Sequence, residues 1–301
     1  MNAQRHGRGS AGFGSLTAPG LVLAQIASLQ LGSAVAKGLF ADVGITATAA
    51  IRITLAAIVL CALVRPRIRS FTPAQWRAAL SLGVVFAAMN LAYFQAIGVL
   101  PLGVAATLEL LGPLLLAVAL THRSRDLAWV ALAVTGVLLL SGPGGRLPLL
   151  GIGLGLLAAG CRAGYVLLNG QVGRLFGDWS GLAVALAIGA CLLAPIGVVS
   201  GGTRLLDPGV LTAGVLVALL SSLLPYSLDL VVLRRITPRV FGILLSLSPA
   251  VGALVGFVVL AEALTRRQVL AILLVVVACV GAVAAEARTV HPHPECVVAD
   301  A

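Results

Sequence analysis

The sequence predicts an all-α membrane protein whose ten transmembrane helices form two inverted five-helix repeats. Of its 301 residues, 60% are apolar and only 10% are charged, and the mean hydropathy is +1.10. That composition lies outside the range of soluble proteins. Apolar runs of about 20 residues, enough to cross a hydrocarbon layer about 30 Å thick, recur along the whole chain. The two halves of the chain also align with each other at an offset of about 137 residues.

Ten apolar runs are the predicted spans. They cover 19–39, 43–64, 76–98, 101–121, 127–141, 149–169, 180–200, 209–230, 238–260 and 268–286. The first repeat is 19–141 and the second is 149–286, with cytoplasmic tails at 1–18 and 287–301. The first run resembles a signal peptide, because Arg5 and Arg8 precede it and small residues end it. Cleavage would leave nine spans and break the symmetry, so we interpret this run as an uncleaved first helix.

Membrane topology explains the net charge of +10 without a nucleic-acid partner. With the N-terminus inside, 13 of the 20 lysine and arginine residues fall on cytoplasmic segments, 5 on outer segments and 2 within spans. Cytoplasmic segments of membrane proteins carry such an excess. Both termini are therefore predicted to be cytoplasmic.

The cysteines give no sign of a disulfide framework or a metal site. The five are scattered, and four lie in or beside apolar runs, where free cysteine behaves as a small hydrophobe. The HPHPEC stretch at 291–296 could hold a metal ion in principle, but a disordered polar tail is the simpler interpretation. No metal and no cofactor are predicted.

The repeat is inverted because each half contains five spans, an odd number. The run from residue 100, LPLGVAATLELLGPLLLAV, aligns with TPRVFGILLSLSPAVGALV from residue 237. Pro101 falls on Pro238, and Pro113 reaches Pro249 with a one-residue slip. Inverted repeats with such interruptions are typical of transporters whose substrate site lies near the bilayer midplane. Pro113 and Pro249 are thus the predicted helix breaks, although ordinary membrane helices also tolerate proline.

Two charged residues are predicted to lie deep in the membrane. At about 1.5 Å per residue, Glu109 lies roughly 12 Å and Arg52 roughly 14 Å from the outer ends of their spans. Charge at that depth is costly and usually faces a partner or a cavity. The two residues could form a structural ion pair. They could also bind a small zwitterion, with its ammonium at Glu109 and its carboxylate at Arg52.

Other polar residues have two interpretations each. Lys37, the only lysine, either lines an outer vestibule or snorkels to the interface. Arg162, about seven residues from the inner end of its span, can also snorkel. Asp229 and Glu262 lie near span ends, where an interfacial role is expected. The neutral polar residues that could line a cavity or join helices are Gln25, Gln30, Asn90, Tyr93 and Tyr165.

Four runs carry a family resemblance: ASLQLGSAVAKGLF at 27–40, AIRITLAA at 50–57, AMNLAYFQAIGVLPLGVAATLELLGPL at 88–114 and SSLLPYSLDLVVLRRITPRVFGILLSLSPA at 221–250. Through them the chain, over roughly 20–286, resembles the EamA-type threonine and homoserine exporters of the bacterial drug/metabolite transporter superfamily. The resemblance implies two inverted five-helix repeats in the bacterial inner membrane. The residues that match family positions are Gln30, Lys37, Arg52, Asn90, Tyr93, Glu109, Pro225 and Tyr226.

Two residues depart from the pattern expected of that family. Ser248 stands where an acidic residue is expected before Pro249, and Arg162 stands where an aromatic residue is expected. These departures bear on the coupling ion and on the amino acid that is carried.

Other classes of function fit the residues less well. A primary pump would need a phosphate-binding G-x-x-x-x-G-K-[ST] loop, which the sequence lacks. An intramembrane hydrolase would need a nucleophile with a base or a metal, but all four histidines lie outside span interiors. The paired helix breaks disfavour a channel. A multidrug exporter of lipophilic cations stays open because one membrane carboxylate can attract a cation, although Arg52 and Arg162 add positive potential.

The predicted function is export of small neutral amino acids of the threonine or homoserine type by alternating access, without enzymatic activity. We expect export to be driven by protons, with Glu109 alternating between ionised and protonated forms. The expected partners are the amino acid, protons and the lipid bilayer. The predicted substrate and coupling-ion residues are Glu109, Arg52, Lys37, Gln30, Asn90, Tyr93 and Tyr226.

Overall fold

The computed structural model is helical, without strands, over the residues that it describes, which are 11–121, 127–141, 147–225, 228 and 244–287. The long helices are α1 (Ala11–Gly38), α2 (Ile45–Val64), α3 (Pro73–Val99), α4 (Leu102–Thr121), α5 (Leu127–Ser141), α6 (Leu149–Leu175), α7 (Ser180–Gly201), α8 (Pro208–Ala218), α9 (Ser248–Leu260) and α10 (Arg266–Ala287). A short helix, Phe40–Val43, precedes α2, and a π-helix at Leu219–Leu223 continues α8. Residues 1–10 of the N-terminal tail, the HPHPEC stretch, Tyr226 and Asp229 lie outside the described residues.

The helices follow the predicted apolar runs in order. Five of the described helical segments are long and apolar enough to cross a membrane, and they are Gly20–Gly38, Ile45–Val64, Pro73–Val99, Leu149–Leu175 and Ser180–Leu206. Shorter apolar helical segments cover Leu102–Leu116, Ala128–Leu139, Pro208–Leu223 and Ser248–Leu260. The prediction of an all-α, multi-pass membrane protein is therefore confirmed.

Short polar motifs set several helix starts. Thr72 and Gln75 form a reciprocal capping box at the start of α3, and Thr265 and Gln268 exchange the same pair of hydrogen bonds at the start of α10. Asp207 accepts a hydrogen bond from the Gly209 N–H at the start of α8. Such side chains satisfy backbone N–H groups that have no partner within the helix.

Small residues let helices from the two halves of the chain pack closely. A methyl group at Gly112 on α4 would collide with the backbone of Ala159 on α6. On α3, a methyl group at Gly83 would lie 2.7 Å from the Ala185 carbonyl oxygen of α7. Close contact through small residues is the usual basis of helix packing in membranes. These contacts fix the helices that surround the cavity described next.

Candidate functional site

A cavity of about 300 Å³ lies between the two halves of the chain. Side chains from α1, α2, α3, α4 and α6 line it, together with residues of the π-helix and of the segment that leads into α9. Six of the residues predicted from the sequence meet there, namely Gln30, Arg52, Asn90, Tyr93, Glu109 and Pro113. Both residues that depart from the expected family pattern, Arg162 and Ser248, line it as well.

Glu109 and Arg162 form an ion pair at this cavity. Arg162 Nη1 lies 3.4 Å from Glu109 Oε1, and 31% of the Arg162 side chain and 18% of the Glu109 side chain are exposed. A well-formed charge-assisted hydrogen bond is about 2.7–2.9 Å long, so this pair is loose. The Arg162 guanidinium also lies 5.7 Å from the centre of the Tyr165 ring, within cation–π range. Depth alone had suggested Arg52 as the partner of Glu109, whereas the cation in contact with this carboxylate is Arg162.

Pro113 leaves the backbone carbonyl of Glu109 without its usual helical hydrogen bond. Proline has no backbone N–H, so the Glu109 carbonyl, four residues earlier in α4, lacks its usual helical donor. Pro113 lies inside α4 and lines the cavity together with Glu109. Glu109 therefore carries both a carboxylate and a backbone carbonyl without its usual helical hydrogen bond.

Arg52 joins α2 to the π-helix. Its Nη2 donates to the Ser221 carbonyl oxygen at 2.9 Å, and its guanidinium lies 5.4 Å from the centre of the Phe94 ring. Ser28 Oγ on α1 likewise donates to the Leu220 carbonyl oxygen, at 2.7 Å. A π-helix offsets the carbonyls from the α-helical pattern, and such segments are common at functional sites. Arg52, only 8% exposed, thus links the first half of the chain to an irregular segment of the second.

Gln30 connects α1 to the start of α9. Its Nε2 donates to the Ser248 carbonyl oxygen at 2.9 Å and lies 3.4 Å from Ser248 Oγ. Pro249 follows at the beginning of α9, after a turn at 246–247. Proline is favoured at the first helical positions. The irregularity predicted at Pro249 is therefore a helix start, whereas that at Pro113 lies within a helix.

Asn90 and Tyr93 lie one turn apart on α3 and face the cavity. Asn90 Nδ2 donates to the Phe86 carbonyl oxygen at 2.9 Å. Phe86 in turn contacts Tyr165 edge to face, with the ring centres 5.4 Å apart. This wall of the cavity therefore joins α3 to α6.

Lys37 lies away from the cavity, in a second polar cluster. Its Nζ is 2.6 Å from Glu262 Oε1 and donates to the Leu100 carbonyl oxygen at 2.9 Å. The other carboxylate oxygen of Glu262 accepts the Leu102 N–H at 2.8 Å. A carboxylate there also complements the positive end of the α4 dipole. Glu262, expected to be merely interfacial, thus binds the only lysine of the chain.

Some residues of the cavity had little or no signal in the sequence. Ser221 contributes a backbone carbonyl, which no side-chain pattern reveals. Arg162, Tyr165, Val166 and Asn169 all line the cavity, and their i, i+3, i+4, i+7 spacing marks one face of α6. That spacing could have identified Asn169 and favoured a cavity position for Arg162 over snorkelling.

Comparison with known proteins gives consistent results. Residues 149–284 match the EamA-like transporter family. Over 264 residues the chain is 36% identical to Threonine/homoserine exporter RhtA of Escherichia coli (strain K12) and of Salmonella typhimurium (strain LT2), which covers 87% of this chain and 89% of each relative. A solved crystal structure superposes with a TM-score of 0.59 at 17% identity, covering 89% of this chain and 97% of that one, which shows a shared fold. The predicted resemblance is confirmed: the chain belongs to the EamA-like transporter family and is a membrane transporter homologous to threonine/homoserine exporters.

Proposed function

We propose that this protein exports small neutral amino acids of the threonine or homoserine type across the bacterial inner membrane. The observation that carries the proposal is the loose Glu109–Arg162 ion pair facing a cavity of about 300 Å³. That volume lies at the lower end of the roughly 300–1,000 Å³ typical of small-molecule sites. The relatives named threonine/homoserine exporters support the same substrate class.

A zwitterionic amino acid has the two charges that this pair can exchange. Its ammonium would bind the Glu109 carboxylate and the backbone carbonyl of the same residue, and its carboxylate would bind Arg162. Arg162 therefore takes the role that depth alone suggested for Arg52. Arg52 would act indirectly, by holding the π-helix in place through its hydrogen bond to the Ser221 carbonyl.

The transport cycle in this proposal is alternating access between two inverted repeats. The helix contacts support it, because a pseudo-two-fold axis mapping each of α1–α5 onto α6–α10 would also map these contacts onto one another. Three helices of the first half pack on their own counterparts, giving the pairs α2–α7, α4–α9 and α5–α10. The contacts α3–α6 and α4–α6 have the counterparts α8–α1 and α9–α1. Rocking of one half against the other would then expose the cavity to each side in turn.

Proton coupling is assigned to Glu109 in this proposal. The substrate ammonium and a proton would compete for the Glu109 carboxylate, so a proton would bind there only after the substrate has left. Release of the proton on the other side would restore the pair. Both termini would be cytoplasmic, as the distribution of basic residues predicts.

The test is efflux of radiolabelled threonine from preloaded cells and its movement in energised inside-out vesicles. Wild type should move threonine against its gradient, Glu109→Gln should abolish uphill movement, and Asp42→Asn should behave as wild type because Asp42 is an exposed carboxylate. Membrane insertion of each variant is checked on a blot of purified membranes. Normal proton-driven efflux by Glu109→Gln would remove Glu109 from the coupling role.

A lipophilic cation is assayed in parallel to test the multidrug alternative. Movement of the cation without movement of threonine would support that alternative and contradict the proposal. The cation should not be transported by wild type, because Arg162 faces the same cavity as Glu109 and adds positive charge.

A further inference from the structure

The cluster around Lys37 joins three separate parts of the chain. Lys37 ends α1, Leu100 and Leu102 form the junction between α3 and α4, and Glu262 lies in the segment between α9 and α10. Glu262 binds Lys37 through one carboxylate oxygen and the Leu102 N–H through the other. The Glu262 side chain, from the second half of the chain, therefore binds both the end of α1 and the start of α4.

The local backbone is shaped to bring Glu262 into this position. Ala261 ends α9 in the left-handed conformation, with φ 53°, which is disfavoured for a residue that has a Cβ atom. This conformation turns the chain back so that the Glu262 N–H donates to the Gly256 carbonyl oxygen at 3.0 Å. Gly256 leaves room for the carboxylate, because a methyl group there would lie 2.6 Å from Glu262 Oε2.

The cluster lies beyond one end of the cavity. Along α1 the lining residues Ser33 and Gln25 precede Lys37 by 4 and 12 residues, which is about 6 and 18 Å at the helical rise. Along α4, Glu109 lies seven residues beyond Leu102, about 10 Å away by the same rise. The lining extends away from Lys37 as far as Asn169, towards one end of α6. The opposite end of α6 lies beside the Lys37 cluster, because Gly151 packs there against Leu100.

We propose that the Lys37–Glu262 ion pair is a latch that closes the cavity at this end and must open when substrate leaves there. The proposal rests on the alternating access of the proposed function but not on the identity of the substrate. The positive-inside distribution makes this end the outer one. The pair is partly exposed, at 22% for Lys37 and 15% for Glu262, so water can take over its contacts when it breaks, as a reversible gate requires.

The test measures how fast a cavity position reacts with a thiol reagent that cannot cross membranes. All native cysteines are replaced, and Leu29→Cys provides the reporter, because Leu29 lines the cavity eight residues before Lys37. With the latch intact, the reporter should react at least about tenfold more slowly in intact cells than in inside-out vesicles. Similar labelling rates from both sides of the membrane would overturn the proposal. This comparison needs no substitution at Lys37 or Glu262.

The latch variants are Lys37→Met, Glu262→Gln and their combination. Glutamine at 262 keeps an acceptor for the Leu102 N–H, so it removes the ion pair and not the helix cap. Each variant should speed labelling from outside about tenfold, a change equivalent to about 1.4 kcal/mol in the opening equilibrium. The combination should be no faster than either single variant, because the two residues act as one pair. Arg266→Gln, an exposed cation close to Glu262 in the chain, is the control and should leave the rate unchanged.

Two results would contradict the latch. One is unchanged outside labelling in both single variants, and the other is additive acceleration in the combination, since independent effects would mean that the two charges do not act through each other. Neither readout depends on threonine. The latch can therefore stand if threonine is not the substrate, and it can fail while threonine efflux is retained.

Discussion

Replacing Arg162 by glutamine tests the proposed substrate site directly. Arg162 is held to the cavity wall by a loose ion pair with Glu109 and by the Tyr165 ring. Both contacts leave the guanidinium able to meet a second carboxylate. Glutamine keeps a hydrogen-bond donor at this position but removes the charge and the bidentate geometry.

The size of the effect follows from the exposure of the site. A hydrogen bond to a charged group contributes about 1.5–3 kcal/mol. Because 31% of the Arg162 side chain is exposed and its pair with Glu109 is long, we take the lower end, about 1.5 kcal/mol, which corresponds to about a tenfold change in affinity. The threonine concentration for half-maximal transport should therefore rise about tenfold in Arg162→Gln.

The assay is threonine transport by purified protein in liposomes, with Arg174→Gln as the control. Arg174 is an exposed arginine at the end of the same helix, and its replacement should leave half-saturation unchanged. The amino alcohol that replaces the threonine carboxylate with a hydroxymethyl group is tested as a competitor. Wild type should prefer threonine over this competitor, and Arg162→Gln should lose most of that preference. An unchanged preference in Arg162→Gln would refute the assignment of the substrate carboxylate to Arg162.

Three further predictions concern stability, measured as the thermal midpoint in detergent. Gly112→Ala should lower stability by about 1–3 kcal/mol through overpacking, whereas Gly153→Ala, with open space around it, should be neutral or stabilising; equal effects would contradict the close contact. Arg52→Met should cost about 1–3 kcal/mol because the buried Ser221 carbonyl loses its donor, and an unchanged midpoint would argue against this link. Gln25→Met should stabilise the substrate-free protein by about 1 kcal/mol and so raise its thermal midpoint, since Gln25 Oε1 is buried and accepts no hydrogen bond within the described structure; a lower midpoint would contradict it.

Much of the cavity could be predicted from depth and residue type. Gln30, Asn90, Tyr93 and Glu109 are polar residues within long apolar runs, and all four line the cavity. Their placement follows from the cost of exposing polar groups to lipid, which drives them toward the interior of the bundle. Sequence can express that cost because it depends on the residue and its depth, and depth follows from the rise of about 1.5 Å per residue.

The partners of the charged residues could not be predicted in the same way. Depth made Arg52 the natural counterpart of Glu109, yet the structure pairs Glu109 with Arg162, 53 residues along the chain. Arg52 is engaged with a carbonyl of the π-helix, which has no side-chain signature. Two residues at similar depth meet only if their helices are neighbours and their faces turn toward each other.

The sequence by itself therefore determined that this protein is an all-helical membrane protein, and it also determined the approximate positions of the helices. These properties depend on local composition and on the fixed geometry of one helix. Only the tertiary structure decided which charges meet. Lys37 and Glu262 are 225 residues apart and touch because α1, α4 and α9 pack side by side. Helix neighbours and the rotation of each helix result from the packing of all the helices together, so no single segment of sequence encodes them.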